Sequence, residues 1–363
     1  ATPGGAPMSI VKLARPEIQA LHASDAAEQV VDTIRPNANE SPRRCSIGNF
    51  GRPLNRYPEV RPQRLQRALA EHFGCRSDQL LVTRGSSEAI DLVIRTFCRA
   101  GQDSVLVTAP SFSMYRHYAE VQGARLIEVQ SDAAQDFAID VAAILEACDE
   151  TTRVIFVCSP NNPTGTTLPR AALEHLLEQR GEDSAVVVDE AYVEFGEHAS
   201  VIELLNRYSN LLVLRTLSKA LGFAGARCGA VAGPADVVRM LSAVQAPYAL
   251  ATPVVECVED ALQDKQLELA RQTVLEISSE RDRLAESLTQ FGFVLKVWPS
   301  DANFLLVRFA DAKRIVRRCA EQKVLLRDFT GELDNCIRIS VGSKEDNDQL
   351  LRALDTLEVA SDD

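Results

Sequence analysis

The chain lacks the features that mark membrane-bound and secreted proteins. No apolar run approaches the roughly 18 residues that a membrane-spanning helix needs. The first residues contain neither the charged nor the apolar region of a signal peptide. We therefore expect a soluble protein with no membrane partner.

Cysteine and histidine spacings typical of metal sites or disulfide scaffolds are also missing. The nine cysteines are odd in number, are scattered along the chain and form no C-x-x-C pattern, which argues against a disulfide framework and a zinc ribbon. The five histidines lie too far apart for the H-E-x-x-H spacing of zinc proteases. We expect no metal site, and a reducing cytoplasm fits unpaired thiols best.

Positive charge is scarce in the chain as a whole. Lysine and arginine total 39 against 51 aspartates and glutamates, so the net charge is -12 at pH 7. A protein that binds nucleic acid neutralises phosphates with clustered basic residues, and this composition argues against such a partner. Any positive charge that matters must therefore act locally.

The length indicates more than one domain. With 363 residues, 46% of them hydrophobic, the chain exceeds the roughly 250–300 residues at which a single core stops growing. We predict a large domain over residues 53–265, a small domain over residues 266–363, and an N-terminal arm over residues 8–52 that contributes to the small domain. Residues 1–7, which precede Met8, are interpreted as a remnant of an added sequence or a disordered tail.

Short apolar runs alternate with helical patterns through the middle of the chain. The predicted strands are residues 80–83, 104–108, 154–158, 185–189 and 211–215. Continuous apolar strands separated by helices indicate a largely parallel sheet covered on both faces, with ligands at the carboxyl ends of its strands. A long charged helix near residues 266–290, followed by alternating strands at 303–307 and 336–340, predicts a smaller α+β domain.

Polar residues gather just after the predicted strands. Lys219 follows strand 211–215 together with Thr216, Ser218 and Arg227, and an arginine fork with hydroxyl groups forms a dianion site. Ser86 opens a helix whose free amide groups attract a second anion contact. Taken alone, each of these elements has a plainer explanation, a surface lysine in one case and a helix cap in the other.

Two further strand ends carry chemistry. Asp189 ends an apolar strand, where a carboxylate is costly unless it meets a cation. Asn162 lies in a turn-rich loop in which either X-Pro bond can be cis. A lysine, an anion site, a buried acid, an asparagine and Tyr192 together match the needs of pyridoxal phosphate, which takes a Schiff-base amine, a phosphate site and a carboxylate for its ring nitrogen.

From about residue 11 to residue 357 the chain resembles the fold type I, aspartate-aminotransferase-like pyridoxal-phosphate enzymes, and within them the histidinol-phosphate aminotransferases. The matching motifs, in order, are residues 37–40, 55–58, 84–91, 159–165, 188–192, 215–220, 226–229, 326–328 and 337–339. The resemblance implies an α/β fold, in which a large domain with a mostly parallel seven-stranded sheet between helices carries the cofactor and a smaller α+β domain follows.

The resemblance also implies roles for individual residues. Lys219 would form the Schiff base and move the substrate proton, and Asp189 would keep the ring nitrogen protonated. Tyr192 and Asn162 would bond to the phenolic oxygen of the ring, and Phe112 would stack on its face. The residues implied to bind the cofactor phosphate or line its site are Ser86, Ser87, Glu88, Thr216, Ser218 and Arg227.

A homodimer with shared active sites is implied as well, because Tyr57 of the partner subunit would reach the cofactor phosphate. Arg338 would clamp a carboxylate or the substrate phosphate, and Arg327 would add a second cation. Asn37 and Tyr115 would line the pocket for the imidazole ring.

The implied reaction is transamination between L-histidinol phosphate and 2-oxoglutarate, which gives imidazole acetol phosphate and L-glutamate in histidine biosynthesis. An aromatic amino acid aminotransferase and a threonine-phosphate decarboxylase use the same scaffold and remain alternatives.

Overall fold

The computed structural model describes residues 58–359. The predictions for residues 1–7, for the arm over residues 8–52, and for Asn37 and Tyr57 lie outside the described residues. The division between a large and a small domain at residue 265 also stays a prediction.

A seven-stranded sheet organises the first two thirds of the described chain. Its strands are β1 (Leu80–Thr83), β2 (Ser104–Ala109), β3 (Arg125–Gln130), β4 (Thr152–Cys158), β5 (Ala185–Asp189), β6 (Leu211–Thr216) and β7 (Gly229–Ala232). Their spatial order is β1-β7-β6-β5-β4-β2-β3, with β7 antiparallel to both of its neighbours and the remaining pairs parallel. The predicted mostly parallel seven-stranded sheet is confirmed.

Helices cover both faces of this sheet. They are α1 (Gln63–Phe73), α2 (Gly85–Phe97), α3 (Met114–Gln122), α4 (Val141–Ala147), α5 (Arg170–Arg180), α6 (Ala235–Val244) and α7 (Thr252–Ala261). Strand β4 shows why both faces are needed, since Val154 and Phe156 pack with α2 and α3 while Ile155 and Val157 pack with α5 on the opposite side. A strand buried on both faces is read from sequence as one continuous apolar run.

A second, four-stranded antiparallel sheet follows the long helix α8 (Asp264–Leu288). Its strands are β8 (Val294–Val297), β9 (Phe304–Phe309), β10 (Arg327–Asp328) and β11 (Cys336–Ser340), in the order β10-β11-β9-β8. Helices α9 (Ala312–Glu321) and α10 (Lys344–Val359) complete the unit. The predicted α+β character of this region is confirmed, and its core is continuous with one face of the large sheet.

The short strands β8 and β10 of the second sheet were not predicted from the sequence. Two strands of the large sheet were also missed, and their positions explain why. Strand β3 lies at the edge of the large sheet and its side chains are exposed or half-buried, so it carries no continuous apolar run. Strand β7 is only four residues long and consists of glycine, alanine and valine. Both strands therefore lack the signal of a buried parallel strand.

Within residues 58–359, no helix is both long and apolar enough to cross a bilayer. The same part of the chain contains no cluster of three or more histidine, cysteine or acidic side chains that could hold a metal ion. Its cysteines are free thiols, most of them buried.

Candidate active site

Neighbouring parallel strands end at one edge of the large sheet and bring the polar residues together there. In the strand register Asp189 of β5 lies beside Cys158 of β4, and β6 ends at Thr216 on its other side. Asn162 follows β4 by four residues and Lys219 follows β6 by three. The carboxyl edge of a parallel sheet is where such folds bind ligands.

Lys219 lies between an aromatic ring and an acid. Its amine is 5.8 Å from the centre of the Tyr192 ring, and its charge lowers the pKa of Asp189. Tyr192 is buried and meets Phe304 of the second sheet edge-on, with ring centres 5.2 Å apart. The structure thus brings the predicted lysine, acid and tyrosine into one group.

Asp189 is a buried carboxylate held by two donors. The hydroxyl of Tyr115 donates to its Oδ2 at 2.8 Å, and the amide of Ala191 donates to its Oδ1 at 3.1 Å. Burial raises the pKa of Asp189 to about 6, and the two donors and Lys219 oppose that rise. Because burial disfavours the ionised form of this carboxylate, a cation that binds against it would stabilise that form.

An anion cradle lies at the start of α2. We use this name for Ser86, Ser87, Ser218 and Arg227. Gly85 precedes the two serines with φ +72°, and a Cβ added to it would stand 2.7 Å from Nη2 of Arg227. Only glycine lets the guanidinium approach the amide groups that open the helix, and those amide groups attract an anion.

The second half of the cradle follows β6. The hydroxyl of Thr216 donates to Ser218 Oγ at 2.9 Å, and Nη1 of Arg227 points at the same oxygen at 3.5 Å. Strand β7 brings the two halves together, because a Cβ on Gly229 would lie 3.0 Å from the amide nitrogen of Ser86. Hydroxyl, amide and guanidinium donors therefore surround one small volume, while Thr216 orients Ser218.

The side chain of Glu88, one of the residues predicted to line the cofactor site, is held by its neighbours in the chain fold. Its buried carboxylate accepts hydrogen bonds from the amide and the Nε of Arg84, at 2.7 and 3.0 Å, and from Gln245 Nε2 at 3.1 Å. A carboxylate facing a phosphate would repel it, and here the acid instead fixes the turn that precedes the anion cradle. The side chain of Glu88 therefore supports the cradle, and its contact with the cofactor stays a prediction.

Tyr115 is placed differently from its predicted role in the substrate pocket. Its side chain is only 1% exposed, stacks on Phe156 at 4.7 Å and donates to Asp189 from beneath the site. Because the ring is enclosed on α3, it has no surface to offer a substrate. Phe112, half-buried and edge-on to Tyr115 at 5.7 Å, is the aromatic residue of this pair that reaches toward the open side.

The two predicted substrate arginines lie side by side on the second sheet. Arg327 of β10 is directly opposite Arg338 of β11 in the antiparallel register, which brings their Cβ atoms to about 4.5–5.5 Å. Arg338 is buried and donates through Nη1 to Oδ1 of Asn162 at 2.5 Å. Burial and the charge of Arg327 lower the pKa of Arg338 to about 10. Two adjacent cations, one of them buried, favour an anionic ligand.

A buried ion network behind the site was not identified from the sequence. Arg215 of β6 contacts Glu194 at 2.5 Å and Glu190 at 3.5 Å, and Glu190 also accepts from Ser200 and Val201. The sequence feature that could have indicated this network is a charged residue at the end of each of two buried strands, Glu190 after β5 and Arg215 in β6. The network ties the end of β5 to the end of β6, and these ends carry Asp189 and Lys219.

These residues fit pyridoxal 5′-phosphate. The amine of Lys219 suits its aldehyde, the anion cradle suits its phosphate, and the buried carboxylate of Asp189 suits its protonated ring nitrogen. The close approach of Arg227 to the backbone at Gly85, which a side chain would fill, is the most specific part of this fit.

Comparison with known proteins agrees with this geometry. A family model described as aminotransferase class I and II matches residues 23–354. The histidinol-phosphate aminotransferase of Xanthomonas campestris pv. campestris (strain ATCC 33913) is 41% identical over 355 residues, which is 95% of this chain and 97% of the relative. That of Aeromonas salmonicida is 38% identical over 351 residues, covering 96% and 98%.

Solved structures give the same fold. Histidinol-phosphate aminotransferase from Sinorhizobium meliloti in complex with pyridoxal-5′-phosphate aligns with a TM-score of 0.81 at 23% identity, over 95% of this chain and 97% of that one. The histidinol-phosphate aminotransferase from Clostridium acetobutylicum aligns with a TM-score of 0.80 at 23% identity, over 90% and 99%.

Proposed function

We propose that this chain, which belongs to the class I and II aminotransferase family, transfers the amino group of L-histidinol phosphate to 2-oxoglutarate. The products are imidazole acetol phosphate and L-glutamate, in histidine biosynthesis. The observation that carries the choice of substrate is the pair Arg327 and Arg338, which are adjacent across two strands and joined through Asn162 to the cofactor site.

Pyridoxal phosphate, when bound, supplies an electron-withdrawing pyridinium ring next to the carbon from which the substrate proton leaves. Lys219 would hold the cofactor, and its amine would then take the proton from the carbon that bears the substrate amino group.

The remaining side chains would hold and orient the cofactor. Asp189 would face the ring nitrogen and keep a negative charge there, and Tyr192 and Asn162 would bond to the phenolic oxygen. The anion cradle would bind the phosphate, and Phe112 would cover one ring face. Because Arg338 contacts Asn162 directly, substrate binding and cofactor orientation would share one hydrogen bond.

The paired arginines suit a phosphate better than a carboxylate. A phosphate dianion presents three oxygens and two negative charges, so it can accept from both guanidinium groups, whereas glutamate would use Arg338 alone. Arg327 and Arg338 repel each other in the free protein, and a bound dianion removes that repulsion because it neutralises both cations. A site built for amino acids alone would need only one of them.

A second copy of the chain would complete the site. Around α6 lie four exposed large hydrophobic residues, namely Val60, Met240, Val244 and Tyr248. Arg61 ties the first of them to the helix by donating to Ser242 Oγ at 2.9 Å. Exposed apolar residues concentrated around one helix are typical of a protein interface, and we propose a homodimer in which Tyr57 of the partner subunit reaches the cofactor phosphate. A cytoplasmic location would keep the thiols reduced.

The test offers the purified holoenzyme three amino donors with 2-oxoglutarate: histidinol phosphate, phenylalanine and threonine phosphate. We expect glutamate to form fastest with histidinol phosphate. Absence of amino transfer from histidinol phosphate would refute the proposed substrate, and preferential use of phenylalanine, or carbon dioxide release from threonine phosphate, would support the alternatives instead. Lys219→Ala is the matched control, which should lose both turnover and the visible absorbance of the bound cofactor.

A further inference from the structure

A buried hydrogen bond connects Tyr115 to the acid proposed to face the cofactor ring. The bond to Asp189 Oδ2 is 2.8 Å long, and both residues are at most 2% exposed. The Tyr115 ring is fixed by two neighbours, since it stacks on Phe156 with an interplanar angle of 11° and meets Phe112 at 88°. The hydroxyl is therefore held against one carboxylate oxygen, with the Cys158 thiol as its second neighbour.

We infer that Tyr115 is a positioning residue, which keeps the Asp189 carboxylate ionised and aimed at the ring nitrogen of bound pyridoxal phosphate. The inference rests on the proposal that Asp189 faces that nitrogen. A hydroxyl donates more strongly to a carboxylate than to a neutral carboxyl group, so its bond favours the ionised acid. Inside a dry site this preference is larger than in water.

The groups around Asp189 leave Tyr115 as the main support of its charge. Cys158 faces the acid from β4, and burial raises the pKa of its thiol, which stays neutral. Lys219 faces it from the loop after β6, and Ala191 donates its amide from the acid's own loop. Among these groups Tyr115 opposes the effect of burial on the pKa of Asp189 most strongly, ahead of Ala191 and Lys219.

Removal of the hydroxyl has a defined consequence. In Tyr115→Phe the ring and its packing remain, but the ionised form of Asp189 loses a donor. The proton shared between Asp189 and the ring nitrogen then moves toward the carboxylate. We expect about a tenfold change in the ratio of protonated to neutral ring nitrogen, the change that corresponds to one pKa unit.

The experiment follows the ring nitrogen directly. Holoenzyme is prepared with pyridoxal phosphate labelled with ¹⁵N in the ring, and its chemical shift is measured across pH in the wild type, Tyr115→Phe and Tyr208→Phe. Tyr208 is a matched control, because its hydroxyl also donates to a carboxylate, that of Glu178 at 3.1 Å, away from the site.

We expect the Tyr115→Phe signal to move toward neutral pyridine and kcat to fall about tenfold, with KM for histidinol phosphate unchanged because Tyr115 does not reach substrate. Tyr208→Phe should match the wild type in chemical shift. An unmoved signal in Tyr115→Phe, or an equal displacement in Tyr208→Phe, overturns the inference. Asp189→Asn tests the proposed role of Asp189 separately from that of Tyr115. If the ¹⁵N signal is unmoved in Asp189→Asn, Asp189 does not face the ring nitrogen.

Discussion

Replacement of Arg327 by alanine tests whether the paired arginines select a phosphate-bearing substrate. The change removes one guanidinium and leaves Arg338, its direct neighbour across β10 and β11, in place. A hydrogen bond to a charged group contributes about 1.5–3 kcal/mol, so kcat/KM for histidinol phosphate should fall by about 10- to 100-fold. Glutamate should be affected less, because it would use Arg338, whose own pKa is no longer lowered by a neighbouring cation.

Stopped-flow spectroscopy of the two half-reactions measures this difference on the bound cofactor. The informative quantity is the ratio of kcat/KM for histidinol phosphate to kcat/KM for glutamate, which should fall by about tenfold or more in Arg327→Ala. Arg318→Ala is the matched control, since Arg318 lies on α9 of the same unit, is exposed and pairs with Glu321 at the surface. An equal loss for both amino donors, or no loss for either, would refute selection by Arg327.

Three further predictions follow from buried or close-packed groups. Gly85→Ala should weaken pyridoxal phosphate binding about tenfold or more in a titration of the cofactor-free protein, because φ at this position is +72° and the added Cβ would lie 2.7 Å from the guanidinium of Arg227. Gly74→Ala is the control: with φ +79° and open space around it, the change should strain the backbone equally and leave cofactor affinity unchanged. Arg215→Ala should lower the free energy of unfolding by about 3–5 kcal/mol in a denaturant titration, because it removes the partner of the buried carboxylate of Glu190 and of the half-buried one of Glu194. Arg170→Ala at the surface should lower it by less than about 1 kcal/mol. Asp189→Asn should stabilise the cofactor-free protein by up to about 3 kcal/mol at pH 8 and should have no effect on its stability near pH 3. The pKa of Asp189 is about 6 in the folded protein and lower in the unfolded one, so the free energy of unfolding of the wild type falls as pH rises between the two values. A difference in stability between the two proteins that is constant across pH would contradict this.

Much of the fold is predictable from the chain because buried parallel strands leave an unbroken apolar signal. The strands Leu80–Thr83, Ala185–Asp189 and Cys336–Ser340 have the predicted bounds, and the other predicted strands agree to within two residues. The edge strand β3 and the short β7 carry no such signal, since one is partly exposed and the other consists of small residues. Their pairing depends on neighbours that are distant in sequence.

The positions of site residues are predictable where the backbone alone determines them. Asp189 and Lys219 lie at strand ends, and strand ends of a parallel sheet converge whatever the side chains do. Glu88 and Tyr115 lie on helices, and the direction of a helical side chain depends on which face packs against the sheet. Glu88 turns to Arg84 and Gln245, and Tyr115 turns under Asp189, so neither contact follows from its motif.

The same burial has opposite effects on Asp189 with and without cofactor. In the cofactor-free protein the dry surroundings of Asp189 raise its pKa to about 6, so its charge destabilises the fold at neutral pH. Against a protonated ring nitrogen those surroundings strengthen the attraction, because a lower local dielectric strengthens every charge pair in it. Cofactor binding should therefore stabilise the protein by more than its phosphate contacts alone provide, and the excess should disappear in Asp189→Asn. Thermal unfolding with and without pyridoxal phosphate measures that excess, and an identical cofactor-induced shift in the two proteins would show that Asp189 does not couple cofactor binding to the stability of the fold.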